Sequence, residues 1–186
     1  VRLSPNVDAA VWGEVNTLFH MDSVTEVMRD RADLLIGRLM SRYPSTGISF
    51  YLDSRKSLLA GNLTVALELA KMASNRSPSI YEIRLWYAEL LLKNGNMREA
   101  ASECRAAISL SSGDSQRAFE LLAKIYHDEG VLDSAALVVD YALTQFPLSS
   151  DLLLLRGFLA EYNGKFDDAE KTYQRIIAFR PDFEKA

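Results

Sequence analysis

Residues 116–149 read QRAFELLAKIYHDEGVLDSAALVVDYALTQFPLS, and this stretch decides the fold. Its apolar residues fall into two stripes at the i, i+3, i+4 and i+7 spacing of amphipathic α-helices. The first stripe consists of Phe119, Leu122, Ala123 and Tyr126, and the second of Ala135, Val139 and Ala142. Gly130 separates the two stripes, and Pro147 follows the second. The stretch therefore predicts a helix, a tight turn, a second helix and a break.

The same arrangement recurs along the chain with a period of 34 or 35 residues. The repeated positions are glycines Gly61, Gly95, Gly130 and Gly164, alanines Ala66, Ala100, Ala135 and Ala169, and prolines Pro78, Pro147 and Pro181. Glycine adopts the left-handed conformation that ends a helix, and alanine lets two helices approach closely. Proline disfavours helix at the residue before it. The second repeat has Ser112 and Gly113 in place of the proline, so its break uses different chemistry.

This pattern resembles the tetratricopeptide repeat, a helix–turn–helix unit with a 34-residue period. The family's small residue in the first helix corresponds to Ser54, Ala88, Ala123 and Gly157, and its bulky residue in the second helix to Ala70, Cys104, Val139 and Tyr173. Its aromatic residue one turn after the small one is matched only by Tyr126. The resemblance implies an all-α fold, an α-solenoid of antiparallel helix pairs that forms a right-handed superhelix.

We predict four repeats, at residues 47–80, 81–115, 116–149 and 150–183. Residues 1–46 fit the pattern less well and are interpreted as a degenerate repeat or a two-helix cap. Within them, Ile36 and Leu39 continue a helical stripe, and an apolar pattern from Val7 to Phe19 predicts a further helix. Residues 184–186 are expected to begin another helix, which suggests that the chain is a piece of a longer protein.

In the family, the first helices of the repeats line a concave face that receives peptides or helices. The resemblance therefore implies a partner-binding groove formed by Tyr51, Arg55, Leu85, Trp86, Glu89, Lys93, Glu120, Lys124, His127, Asp128, Leu154, Phe158, Glu161 and Tyr162. Exposed aromatic side chains are common anchors of protein interfaces. Trp86 and Phe158 either face this groove or pack between helices, and both readings stay open at this stage.

Some family members clamp a C-terminal carboxylate with two lysines, two asparagines and an arginine in three consecutive repeats. In this chain the corresponding positions hold Tyr51, Arg55, Trp86, Arg117 and Leu121 or, one repeat later, Leu85, Glu89, Leu121, Asp151 and Leu155. Neither set has the required side chains, so we predict that no such clamp is present.

Composition argues against several other classes of function. The net charge of −4 argues against a surface that binds nucleic acid, which needs clustered Lys and Arg. No apolar run approaches the ~18 residues of a membrane span, so direct membrane insertion is not expected. The single cysteine, Cys104, excludes an internal disulfide and is compatible with a reducing compartment, which slightly favours the cytoplasm over the periplasm.

The sequence shows no pattern typical of catalysis. His20 and His127 are far apart and lack partners at metal-ligand spacing, so no metal or other cofactor is predicted. Cys104 lies on the apolar stripe of a second helix and is interpreted as a core residue. Asp167 and Asp168 favour a helix N-terminus and need no catalytic role.

We therefore predict a non-enzymatic scaffold that binds a protein or peptide partner, as part of a larger protein or assembly. Two alternatives stay open. The chain could be an accessory domain of an enzyme whose catalytic part is encoded elsewhere. It could also be a self-assembling scaffold that forms a homo-oligomer, because stacked repeats expose apolar surface at an uncapped end.

Overall fold

A computed structural model describes residues 13–14 and 26–180 of the chain. Within these residues the regular structure is α-helical and contains no strand. The helices are α1 (Glu26–Arg42), α2 (Gly47–Leu59), α3 (Leu63–Arg76), α4 (Tyr81–Lys93), α5 (Met97–Leu110), α6 (Gln116–Asp128), α7 (Leu132–Gln145), α8 (Ser150–Tyr162) and α9 (Phe166–Phe179). Short turns join α2 to α3, α4 to α5, α6 to α7 and α8 to α9, and the two helices of each pair pack together. The predicted all-α fold of antiparallel helix pairs is confirmed.

The helices belong to two compact units, Val1–Ser79 and Ile80–Ala186. In the first unit α2 packs against α1 on one side and α3 on the other, and Leu35, Ile36 and Leu39 of α1 are buried. In the second unit α6 also packs against α5, and α8 against α7, so each pair covers the apolar face of the next. The helix predicted from Val7 to Phe19, the turn near His20 and the helix expected at residues 184–186 lie outside the described residues.

The turn inside each helix pair is built around a glycine with positive φ. At Gly130, φ is 74°, the glycine N–H donates to the carbonyl of His127, and Val131 N–H donates to the carbonyl of Tyr126. Such bonds satisfy carbonyls at the end of the first helix. A side chain is disfavoured at this φ, which explains why glycine recurs with the period of the repeat.

The breaks between helix pairs are formed in two ways. Helix α3 ends at Arg76 and helix α7 ends at Gln145, in each case two residues before a proline, Pro78 or Pro147, as the sequence predicts. After α5 the chain turns instead through Ser112 and Gly113, with φ of 56° and 87°. Pro181 lies outside the described residues. The second repeat therefore ends by left-handed backbone where its neighbours use proline.

The alanine after each glycine lies in the packed interior of its helix pair. Ala66, Ala100 and Ala135 have no exposed surface, and Ala169 is 2% exposed. Val139 and Leu159 pack with Ala135 in one buried cluster of the second unit. The small side chain lets the paired helices approach, because close-packed interiors leave no room for added volume.

Candidate partner-binding groove

The second unit contains an open groove of about 780 Å³, which we call the second-unit groove. Its walls come from α4, α6 and α8, the first helices of three successive pairs. It is lined by Glu89, Leu92, Lys93, Arg117, Glu120, Leu121, Lys124, His127, Asp128, Asp151, Leu152, Leu154, Leu155 and Phe158. Because every second helix runs antiparallel to its neighbours, the three first helices point the same way. Residues at matching positions therefore form rows across the groove.

Arg117 ties two of these helices together through carboxylates. Its Nε donates to Glu89 Oε1 at 3.2 Å, and its Nη1 lies 3.7 Å from Glu120 Oε2. Partial burial lowers the pKa of Arg117, but Glu89, Glu120 and Asp151 raise it, and the net shift is upward. The Arg117 guanidinium therefore stays charged, and the three carboxylates that raise its pKa outnumber it.

Glu120 is fixed further by neutral partners. Gln116 Nε2 donates to Glu120 Oε1 at 2.7 Å, and Ser149 Oγ donates to the same oxygen at 3.1 Å. Ser149 is also the N-cap of α8 and accepts from Leu152 N–H at 3.3 Å. A capping residue thereby links α8 to α6, and the Glu120 carboxylate is held in place from two helices.

The α8 wall of the groove is apolar. Leu152 is fully buried, Leu154 and Leu155 are half-buried, and the Phe158 side chain is 49% exposed. The Phe158 ring packs edge-on to Tyr173 of α9, with centroids 6.3 Å apart and an interplanar angle of 71°. One side of Phe158 is therefore supported from behind while the rest of the ring faces solvent, an arrangement suited to an interface anchor.

A smaller pocket of about 520 Å³ adjoins the groove because it shares His127 and Phe158 with it. Glu161 and Tyr162 complete its lining. Tyr162 is 76% exposed, and His127 Nδ1 lies 3.1 Å from Asp128 Oδ1. The groove and this pocket together contain ten of the residues predicted for partner binding: Glu89, Lys93, Glu120, Lys124, His127, Asp128, Leu154, Phe158, Glu161 and Tyr162.

The structure corrects the prediction for the other four residues. Tyr51, Arg55, Leu85 and Trp86 are 1%, 7%, 8% and 5% exposed, so they offer no accessible binding surface. Arg55 Nε donates to Tyr51 Oη at 3.0 Å, which occupies both side chains internally. For Leu85 and Trp86 the reason is that a repeat helix is covered on more than one side. Of the two alternatives given for these aromatic residues, Trp86 packs between helices, whereas Phe158 lines the second-unit groove.

Sequence reasoning missed several lining residues, namely Leu92, Arg117, Leu121, Asp151, Leu152 and Leu155. Four of them occupy positions considered above for the carboxylate clamp: Arg117, Leu121, Asp151 and Leu155. The clamp comparison concerns only the side chains that bind a C-terminal carboxylate. The available signal was their register, since these positions face a ligand in the clamp whatever residue occupies them.

Two features of the described residues bear on metal and thiol chemistry. Within residues 13–14 and 26–180, no three His, Cys, Asp or Glu side chains are grouped as a metal site would require. Burial raises the pKa of Cys104 to about 12, which suppresses the nucleophilic thiolate. The described helices include none with the length and apolar character of a membrane span.

The repeated helix pairs define a helical-repeat protein. A family model described as Tetratricopeptide repeat matches residues 58–115 and 121–183. The chain therefore belongs to the tetratricopeptide repeat family, as the sequence resemblance indicates. A search of curated proteins finds no match to the chain.

Solved structures of similar fold agree with this assignment. MamA matches with a TM-score of 0.71 and 15% identity over 88% of this chain and 99% of its own. The pilF protein of Pseudomonas aeruginosa matches with a TM-score of 0.74 and 14% identity over 92% and 77% of the two chains. YrrB, described as a TPR protein with an unusual peptide-binding site, matches with a TM-score of 0.65 and 18% identity over 94% and 84%. At these identities the likeness shows the fold alone.

Proposed function

We propose that this protein is an interaction scaffold that binds a segment of a partner protein in the second-unit groove, within a larger protein or assembly. The observation that carries the proposal is the combination of an apolar α8 wall with charged rows on α4 and α6 in one groove of about 780 Å³. Interfaces commonly pair an apolar core with a polar rim. The proposal assigns no catalytic residue.

Phe158 is the expected anchor of the interface. Its ring is half-exposed and supported by Tyr173, so a ligand can bury it without rearranging the core. Anchors of this kind dominate the free energy of binding, whereas charged rim residues contribute less. YrrB has the same fold and is described as having an unusual peptide-binding site, which supports a peptide as the occupant.

The test uses a display library of random twelve-residue peptides and the purified chain as bait. For the selected peptides, we expect Phe158→Asp to weaken binding by ~10-fold or more, since it removes an apolar anchor and places a charge there. Tyr141→Asp is the matched control, because Tyr141 is also an exposed aromatic (56%) but lies on α7, outside the groove lining. Fluorescence anisotropy measures both affinities, and circular dichroism checks the helical content.

The proposal fails if the library yields no binder, or if the selected peptides bind the Phe158→Asp variant as well as the unaltered protein. Equal losses at Tyr141 and Phe158 would move the binding surface to another part of the molecule.

A further inference from the structure

The charged residues of the second-unit groove repeat one pattern on two helices. Glu89 and Lys93 are four residues apart on α4, and Glu120 and Lys124 are four residues apart on α6. Each glutamate therefore lies one helical turn before its lysine, the order that favours an ion pair within a helix. Since α4 and α6 point the same way, the two pairs form a row of carboxylates beside a row of ammonium groups.

In the structure, the glutamates are engaged elsewhere. Arg117 bridges Glu89 and Glu120, and Gln116 with Ser149 holds the second carboxylate. The Glu89 and Glu120 side chains are 16% and 10% exposed, so they are turned into the protein rather than toward solvent. Arg117 thus takes the partners that Lys93 and Lys124 would otherwise have.

Both lysines are left exposed at the groove. Among the residues that the structure describes, no carboxylate forms an ion pair with Lys93 or Lys124. The α8 wall next to them is apolar, with Leu154 and Phe158 in the same lining.

The lining also contains Asp151 and Asp128, which lies beside His127. Among the described residues of the lining, Lys93 and Lys124 are nevertheless the cations without an ion pair next to the apolar wall, so they are the side chains able to pair with acidic groups of a ligand whose apolar side chains pack on that wall.

We infer that the partner is a protein segment in which acidic side chains flank a large apolar residue. The acidic side chains pair with Lys93 and Lys124, and the apolar residue packs on Phe158 and Leu154. Arg117 acts as a positioning residue, because it withdraws both glutamates from the lysines. This inference rests on the proposed function and adds the chemistry of the partner to it.

The experiment compares peptides selected from the same library by two forms of the full chain. The unaltered protein should enrich peptides in which Asp or Glu flanks Leu, Phe or Trp. The Lys93→Glu/Lys124→Glu variant should instead enrich Lys and Arg at the flanking positions. For a peptide selected by the unaltered protein, we expect this variant to bind ~10-fold more weakly and the affinity to fall as salt is added.

The matched control is Lys165→Glu/Lys171→Glu, which changes the net charge equally. Lys165 and Lys171 are exposed in the second unit, outside the groove lining. The affinity of this control should stay within ~2-fold of the unaltered protein, because neither lysine lines the groove and exposed charges interact weakly through water and salt. If the charge-reversal variant loses helical content, Lys93→Ala/Lys124→Ala replaces it and should bind the acidic peptide more weakly.

Three outcomes decide the matter. Acidic enrichment that the groove variant reverses supports the inference. Binders that depend on Phe158 but show no acidic preference, or that tolerate the lysine changes, overturn the inference and leave the proposed function standing. The absence of Phe158-dependent binders overturns the proposed function, and this inference with it.

Discussion

The first and last of the four glycine-turn helix pairs solve the same packing problem with different side chains. In α2 and α3 the small position of the first helix is Ser54 and the bulky position of the second is Ala70. In α8 and α9 the same positions hold Gly157 and Tyr173. A Cβ added at Gly157 would overlap the Tyr173 ring. Tyr173 is the largest of the four residues at the bulky position of the repeat, and it faces Gly157, which has no side chain.

The difference shows that the repeat specifies a shared volume between two helices and does not specify the residue that fills it. Ser54 uses its position for a hydrogen bond, since its Oγ donates to the carbonyl of Ala66 at 2.6 Å. Gly157 leaves its space to an aromatic ring that also supports Phe158. Packing in the last pair is thereby connected to the candidate groove, whereas packing in the first pair is connected to a buried polar contact.

The largest effect is expected at Gly157. Gly157→Ala should lower the free energy of unfolding by ~1–3 kcal/mol, because the new methyl group collides with Tyr173 and outweighs the better helix propensity of alanine. Urea unfolding followed by circular dichroism measures the change. In a Tyr173→Val background, which reproduces the alanine–valine pair of Ala123 and Val139, the same substitution should no longer be destabilising. A similar loss in both backgrounds would show that the ring is not the cause.

An intermediate effect is expected at Ser54. Ser54→Ala removes the buried hydrogen bond to Ala66 and should cost ~1 kcal/mol of unfolding free energy. Ser57→Ala is the control, because Ser57 Oγ donates at 2.8 Å to the Asp53 carbonyl within its own helix and is less buried. Equal unfolding curves for the two variants would remove the inter-helix hydrogen bond as a source of stability.

The smallest effect, of opposite sign, is expected at Gly37. This residue lies inside α1, and a Cβ added there would meet no atom of the described residues within 4 Å. Gly37→Ala should raise the free energy of unfolding by about 0.5–1 kcal/mol through helix propensity alone. A thermal melt is sufficient to detect the change. Destabilisation here would mean that crowding is not what separates Gly157 from an ordinary helical glycine.

Much of the fold follows from the sequence because its signals are local. Gly130 and its equivalents need positive φ, and the alanine five residues later needs to be small, so both recur with the period. The groove was harder to predict. The ten predicted residues that line the groove or its adjoining pocket share helical register, but Trp86 shares it as well and is buried. Register identifies a face of a helix and does not show what covers that face.

The sequence alone determined the 34- to 35-residue period, the helix pairs, their turns and the small residues that pack between them. Each of these depends on contacts within a helix or across one short turn, where spacing along the chain sets the distance. Only the tertiary structure decided that Arg117 engages Glu89 and Glu120 and that Lys93 and Lys124 stay free of ion pairs within the described residues. Those pairings join different helices, so they depend on how the helices pack and cannot be obtained from residue spacing.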